Sequence, residues 1–346
     1  MKFQTKLIDV REEHRFDEVA LFDWLRSTIP ELQGELSIQQ FESGQSNPTF
    51  LVSGEALKVV LRKKPPGSLL PKAHMVEREY RVMKALADSD VPVPKMYGLS
   101  EDESLIGTPF FAMEYLEGRV LFDATLPSVE PGARRAHFKE LVRVMAALHQ
   151  VDFKSLGLED YGKAGNYFAR QISRWSRQYK ASETETIESM DRLCEWLEKN
   201  VPDDERTTLV HGDYRFDNLI FHPEKPEGLA LVDWELSTLG HPLADLAYTS
   251  MGWLVQTPFH GPLGPVAGPE TGIPTMDEFV ADYCELTGTP KIEHWPFYLA
   301  FSLFRSASIV QGVYKRGLEG NASSQKALML GMFVKILGDQ AWNLVK

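Results

Sequence analysis

Residues 209–248 carry the side chains best suited to chemistry, in the run LVHGDYRFDNLIFHPEKPEGLALVDWELSTLGHPLADLAY. Asp213 follows a β-like Thr-Leu-Val-His, which places it at a strand end where loops open to solvent. A carboxylate there can accept the proton of a substrate hydroxyl. Asn218 comes five residues later and starts the apolar run Leu219 to Phe221. The turn at 222–228 reverses the chain, and Leu229 to Val232 returns beside that run, so Asp233 comes back near Asn218. An amide oxygen and a carboxylate, completed by water and phosphate oxygens, suit magnesium. One carboxylate to orient a hydroxyl and an Asn–Asp pair to hold magnesium are what a phosphoryl-transfer site needs. His211 is expected to order the loop rather than titrate. Taken singly, these Asp and Asn residues also fit turns at strand ends. A hydrolase metal cluster of His211, Asp213, Asp217 and His222 is the other chemical reading, but it leaves the first part of the chain without a role.

The upstream elements must supply the rest. Helical spacing of Phe16, Val19, Ala20, Leu21, Trp24 and Leu25 predicts a helix over 16–33. Short β-rich runs follow at Ile38 to Phe41, Thr49 to Ser53 and Leu57 to Leu61. Between the first two lies Ser43-Gly44-Gln45-Ser46-Asn47-Pro48, a turn-rich loop that can bring backbone N–H groups close to phosphates. A helix is expected over 73–87, and Glu79 falls on its apolar stripe with Met75, Val82, Met83 and Leu86. A buried carboxylate is costly unless paired, and the nearest partner by topology is Arg62 on the preceding strand. Two more β-like runs, at 96–99 and 110–116, precede a connector at 114–118. Beyond it the chain is mostly helical: an amphipathic helix at 133–149, one or two helices over 166–199, a Gly- and Pro-containing loop at 254–275, and an aromatic-rich helical tail over 276–346. The fold class is therefore α+β, with a β-rich N-terminal lobe (1–113), a hinge (114–118) and a mostly helical lobe (119–346).

The bulk composition narrows the partners. With 346 residues, 43% hydrophobic and 25% charged, the chain has the make-up of an ordinary globular protein of two domains or two lobes. A net charge of −12 argues against extended nucleic acid as a partner. The two cysteines, Cys194 and Cys284, fit a reducing cytoplasm and form no metal-binding spacing. No signal peptide and no window of about 20 apolar residues is visible, so a cytoplasmic protein that does not engage membranes is expected, as a monomer or homodimer.

With these residues in view, the chain from about Ile38 onward resembles the aminoglycoside phosphotransferase family of the protein-kinase-like superfold. HGDYRFDN resembles that family's catalytic loop, and VDWE resembles its metal-binding Asp segment. The resemblance implies that Asp213 is the catalytic base and that Asn218 and Asp233 bind magnesium. It also implies that Arg62 contacts the α/β-phosphates of ATP and pairs with Glu79, and that residues 113–116, including Glu114 and Leu116, hold the adenine through backbone hydrogen bonds. ATP or GTP is the implied nucleotide. Arg62 stands where many relatives have Lys. Lys63 and Lys64 are the other candidates for that contact, and strand alternation favours Arg62 and Lys64 on one face. The loop at 43–49 has one Gly rather than three, so phosphate contact is expected to shift toward Ser46 or Asn47.

Three segments, GQSNPTFLV, LRKKPPGSLLPKAHMVEREYRV and WELSTLGHPLADLAY, are similar to the kinase-like domain fused to certain large acyl-CoA dehydrogenases and to its free-standing bacterial relatives. That narrower resemblance implies a hydroxyacyl-CoA acceptor, a 4-hydroxyacyl-CoA first. An aminoglycoside or other amino alcohol is the second acceptor, and a non-catalytic nucleotide-binding module is the alternative outside enzymology. Asp245 is expected to cap a helix starting at Leu246, and His149 to pack or cap. The basic stretch 62–72 is expected to be a solvated loop or a contact for CoA phosphates. Trp253, Tyr283, Trp295 and Tyr298 are candidates to line an acceptor pocket or to pack the core. Asp277, Glu278, Asp282 and Glu285 are the acidic groups an aminoglycoside pocket could draw on.

Overall fold

The computed structural model describes residues 6–42, 47–67, 74–255, 262–320 and 326–346. The chain packs into two compact units: Met1–Phe122 with Lys154–Leu158 and Phe216–Ser237, and Asp123–Phe153 with Glu159–Arg215 and Thr238–Lys346.

The first unit is built on a six-stranded antiparallel sheet. Its strands are β1 (Leu7–Ile8), β2 (Ser37–Phe41), β3 (Thr49–Ser53), β4 (Lys58–Lys63), β5 (Met96–Ser100) and β6 (Phe110–Glu114), in the order β1-β2-β3-β4-β6-β5. Helix α1 (Glu18–Thr28) begins where the Asp17 carboxylate accepts the N–H groups of Val19 and Ala20. It ends before Pro30, short of the expected 33. Leu21, Leu25 and Ile29 pack with Phe50, Val52, Val59 and Leu61, the residues of β3 and β4 that alternate onto one face. Helix α2 (Val76–Ala85) buries Val76, Glu79, Val82 and Met83, so the carboxylate predicted on the apolar stripe is indeed interior. A short helix α3 (Glu103–Ile106) precedes β6.

The same unit holds a smaller sheet in the order β10-β9-β7, formed by β7 (Arg119–Val120), β9 (Leu219–Phe221) and β10 (Gly228–Leu231). β9 and β10 form the expected hairpin, with Leu219 opposite Leu231. His222 closes its turn, where Nδ1 accepts the N–H groups of Glu224 and Lys225. By packing, Phe216–Ser237 thus travels with the sheet-bearing unit, an exchange that chain order alone does not mark.

The second unit is largely helical. It contains α4 (Pro131–Gln150), α5 (Tyr167–Ser182), α6 (Glu188–Lys199), α7 (Leu243–Ser250), α8 (Leu263–Val266), α9 (Met276–Thr287), α10 (Trp295–Leu318), α11 (Lys326–Met329) and α12 (Gly331–Asn343). The stretch 166–199 is two helices, and α8 interrupts the expected loop at 254–275. One two-stranded ladder, β8 (Thr208–Val210) with β11 (Thr238–Gly240), crosses this unit and delivers the chain to His211. Among the described residues, no helix is long and apolar enough to cross a membrane.

Candidate active site

In the first unit the site residues gather around one guanidinium. Arg62 lies near the end of β4, opposite Thr49 on β3 and Phe111 on β6. Its Nε is 3.1 Å from the Glu79 carboxylate, and its Nη2 donates to Asp233 Oδ1 at 2.7 Å. The Arg62–Glu79 pair is the one expected from the stripe on α2, and Asp233 joins it through a contact that the sequence did not indicate. Glu79 also accepts the Asn47 amide N–H at 2.9 Å, and Asn47 Oδ1 lies 3.1 Å from His74 Nδ1. The Asn47 side chain, expected to face phosphate, is instead buried and spent on Glu79 and His74. Ser46 lies outside the described residues.

Burial works against the Arg62 charge, but Glu79, Asp233 and Glu235 outweigh it and raise the guanidinium above its usual value. Burial pushes the Glu79 carboxyl up to about 7 against the pull of Arg62, with Asp233 and Glu235 adding to the push. Three carboxylates therefore share one guanidinium, an environment with room for further positive charge.

The neighbouring lysines separate by strand alternation. Lys64 pairs with Glu77 of α2 at 2.9 Å. Lys63 is on the other face, 2% exposed and over the Phe16 ring at 4.8 Å, where burial lowers its pKa. Arg62 is thus the cation joined to both Glu79 and Asp233.

The hairpin sets the metal-ligand candidates. Val232 donates its N–H to the Asn218 carbonyl at 2.9 Å, so Asn218 and Asp233 flank the last paired position. Asp233 adopts a left-handed backbone with φ of 67°, uncommon for a residue with a Cβ and of a kind that collects at functional sites. Both candidates are oxygen donors, which fits magnesium rather than zinc. Among the described residues no group of three or more His, Cys, Asp or Glu could hold a metal ion, which removes the hydrolase cluster. A magnesium ion here would take two ligands from the chain and the rest from phosphate and water. For the adenine, Glu114 ends β6 and gives its N–H to Lys95, while its carboxylate accepts the Lys95 N–H. Leu116 follows in the irregular segment before β7.

In the second unit Asp213 sits just past β8, with its side chain 19% exposed. Gly212 precedes it with φ of 82°, a conformation that lets the chain turn sharply off the strand. Tyr248 donates its hydroxyl to Asp213 Oδ1 at 2.7 Å, and Arg215 Nε lies 3.3 Å from the same oxygen. Burial would raise the Asp213 pKa, but Arg215, the Tyr248 hydroxyl, His211 and Arg305 outweigh it and hold the carboxylate below its usual value. Asp213 is therefore ionised at neutral pH and able to take a proton only from a group made acidic as it reacts. His211 orders the loop, as expected, with Nδ1 facing the Asp213 N–H at 3.3 Å.

Asp245 is another residue whose role differs from the one expected from sequence. It caps no helix at Leu246, because α7 already starts at Leu243 after Pro242. From inside the first turn its buried carboxylate accepts the N–H groups of His211 and Gly212 at 2.6 and 2.8 Å. His149 is packed, as expected, between Tyr283 at 2.8 Å and Asp245 at 3.4 Å. Of the aromatic pocket candidates, Tyr283 and Tyr298 are core, whereas Trp253 and Trp295 are partly exposed. Tyr283 is held by His149, Tyr298 stacks on His241 with ring centroids 5.6 Å apart, and Trp253 donates to the Pro274 carbonyl.

A family model described as a phosphotransferase enzyme family, APH, matches residues 37–291. The mouse protein Acyl-CoA dehydrogenase family member 10 is 46% identical over 337 residues, which cover 96% of this chain and 32% of that protein. The chain spans between about a third and just under half of the length of the curated relatives it matches. A crystal structure from Ralstonia eutropha, of a protein carrying a provisional aminoglycoside phosphotransferase name, is 48% identical over 95% of this chain and 98% of that one, with a TM-score of 0.88. A ternary complex of the aminoglycoside phosphotransferase APH(4)-Ia with AMP-PNP and hygromycin B shares the fold at 16% identity, with a TM-score of 0.60 over 93% of this chain and 98% of that one. The architecture is that of the α+β two-lobe kinase-like fold, with a β-rich N-lobe and a largely helical C-lobe.

Proposed function

The chain belongs to the phosphotransferase enzyme family APH, and from that premise we propose that it moves the γ-phosphoryl group of MgATP to the hydroxyl of a hydroxyacyl-CoA. It is an ATP-dependent phosphotransferase with a hydroxyl-bearing acceptor. In this reading the lobes are residues 1–113 and 119–346, joined by the hinge at 114–118, and residues 113–116 receive the adenine. Arg62, backed by Glu79, meets the phosphates. Asn218 and Asp233 would hold magnesium, which supplies charge neutralisation for the phosphates when bound. Asp213 accepts a hydrogen bond from the acceptor hydroxyl and takes its proton as the oxygen attacks the γ-phosphorus and ADP departs.

The observation that carries the reaction is the chain Glu79–Arg62–Asp233, in which a phosphate-contact candidate and a metal-ligand candidate meet across 171 residues of sequence. A phosphate-binding cation held against the metal ligand is the arrangement that positions a nucleotide for in-line transfer.

The choice of acceptor rests on charge. Arg215 and Arg305 both act on Asp213. Arg305 also lies near Tyr167 together with Arg170 and Arg174 of α5. Such surroundings favour an acceptor bearing phosphates over a polycation. The acidic groups an aminoglycoside pocket could draw on are partly committed, since Asp282 pairs with Arg135 at 2.8 Å and Glu278 closes the capping box of α9 with Thr275.

The test is ADP release with MgATP and a 4-hydroxyacyl-CoA, in wild type and in Asp213→Asn. The variant should lose transfer while its MgATP affinity, read by thermal shift, stays within about a few-fold, because the carboxylate acts on the acceptor. Full activity in Asp213→Asn would remove the base. MgATP binding without turnover on any acceptor would favour a non-catalytic module.

A further inference from the structure

Helix α7 holds the segment 211–214 residue by residue. Asp245 accepts the N–H groups of His211 and Gly212, Tyr248 donates to the Asp213 carboxylate at 2.7 Å, and Thr249 donates to the Tyr214 carbonyl at 2.8 Å. The spacing 245, 248, 249 puts the three side chains on one side of the helix. From α10, Arg305 donates to the Gly212 carbonyl at 2.9 Å, and its guanidinium lies 5.5 Å from the centre of the Tyr248 ring. Asp245, Thr249 and Arg305 fix backbone. Tyr248 is the member of this set that reaches the reactive carboxylate.

We propose that Tyr248 is a positioning residue for phosphoryl transfer: its hydroxyl sets the plane of the Asp213 carboxylate and tunes its basicity. The inference rests on Asp213 being the base. The terminal torsion of an Asp side chain is broad, so an unanchored carboxylate samples many planes. A bond to Oδ1 from a side chain stacked beside Arg305 removes that freedom. The phenol remains a donor, since burial and the Asp213 charge both push its pKa up. A hydrogen bond to the ionised carboxylate favours that form, so the bond lowers the Asp213 pKa while orienting it. Arg215, His211 and Arg305 also act on Asp213, and all three pull its pKa in the same direction.

Tyr248→Phe removes one oxygen and keeps the ring beside Arg305. Carboxyl carbon-13 shifts of aspartate-labelled protein report the Asp213 titration, assigned by its loss in Asp213→Asn. In Tyr248→Phe the Asp213 pKa should rise by about one unit, the usual worth of a hydrogen bond to a charged group. The kcat for MgATP-dependent phosphorylation of a 4-hydroxyacyl-CoA should fall by about 10- to 100-fold, with the KM for MgATP within about twofold. Uniform 3-fluorotyrosine incorporation strengthens the donor without deleting it and should move the same pKa down, which keeps the test open if the Phe variant folds poorly. An unchanged pKa in both proteins, or an unchanged kcat in Tyr248→Phe, overturns the inference. Full activity in Asp213→Asn overturns instead the base assignment beneath it.

Discussion

Arg62 is held between two carboxylates in the first unit. Its side chain is 12% exposed and lies between Glu79, 1% exposed, and Asp233. Removing one partner of a buried pair strands the other charge away from water, which costs about 3–5 kcal/mol. Arg62→Ala should therefore lower unfolding free energy in urea by about 3 kcal/mol, as well as weakening MgATP binding. Arg62→Lys retains the charge but loses the planar fork that meets two carboxylates at once, so its loss should be smaller. A stability change within about 0.5 kcal/mol for Arg62→Ala would mean that Glu79 is held protonated and does not need the guanidinium. This pair was legible in the sequence because a helix has a fixed period: Glu79 on an apolar stripe required a partner, and topology offered Arg62 on the preceding strand. Asp245 was not legible. Gly240-His241-Pro242 suggests a cap ahead of Leu246, and only the ladder between β8 and β11 reveals that the loop at 211–212 is what the carboxylate serves. Contacts across 34 residues follow from topology, which local patterns do not encode. For Tyr283 and Tyr298 the sequence left pocket and core both open, because composition cannot separate a buried ring from one that lines a pocket, and both rings are buried.

At the scale of elements, the start of α7 is tied to protonation. His241 Nδ1 accepts the Leu243 N–H at 3.2 Å, and its Nε2 faces Asp204 at 3.2 Å. With Nδ1 accepting, a neutral ring carries its proton on Nε2, and a second proton would remove the acceptor at Nδ1. Burial lowers the His241 pKa to about 4, against the pull of Asp204. The folded value lies below the unfolded value of about 6.5, so as pH falls the unfolded chain binds the proton first. The stability from this residue is fully present above about pH 6.5 and is lost as pH falls from there to about 4, with a total of roughly 3 kcal/mol. His241→Gln can make both contacts without titrating, and its urea-unfolding profile should be flatter than wild type over that interval. Parallel profiles would contradict the assignment. The hairpin β9–β10 is fixed differently, by close approach. A Cβ on Gly118 would lie 2.4 Å from Ile220 Cγ2 and 2.7 Å from the Phe221 carbonyl oxygen. Gly118→Ala should cost about 1–3 kcal/mol in urea unfolding, because backbone must shift beside the strand that follows Asn218. A neutral substitution would show that this ladder adapts freely. Strand and helix positions were largely legible from their periods, whereas two-residue strands such as β1 and β7 carry too few residues to show one.

For the molecule as a whole, local and global charge point in opposite directions. The chain carries a net charge of −12, yet Arg215 and Arg305 act on the Asp213 carboxylate. Local fields govern which small molecule is drawn in, so the surplus of acid elsewhere does not call for a cationic acceptor. The relatives that extend well beyond this chain bear acyl-CoA dehydrogenase names, and the family itself is one of phosphotransferases. The most direct measurement is mass spectrometry of the products formed from MgATP and a mixed panel of hydroxyacyl-CoAs, aminoglycosides and choline, with wild type and Asp213→Asn side by side. The predicted result is the mass gain of one phosphoryl group on a hydroxyacyl-CoA, matched by ADP and absent with the variant. A phosphorylated aminoglycoside or choline in place of the thioester, or transfer that survives Asp213→Asn, would contradict the account.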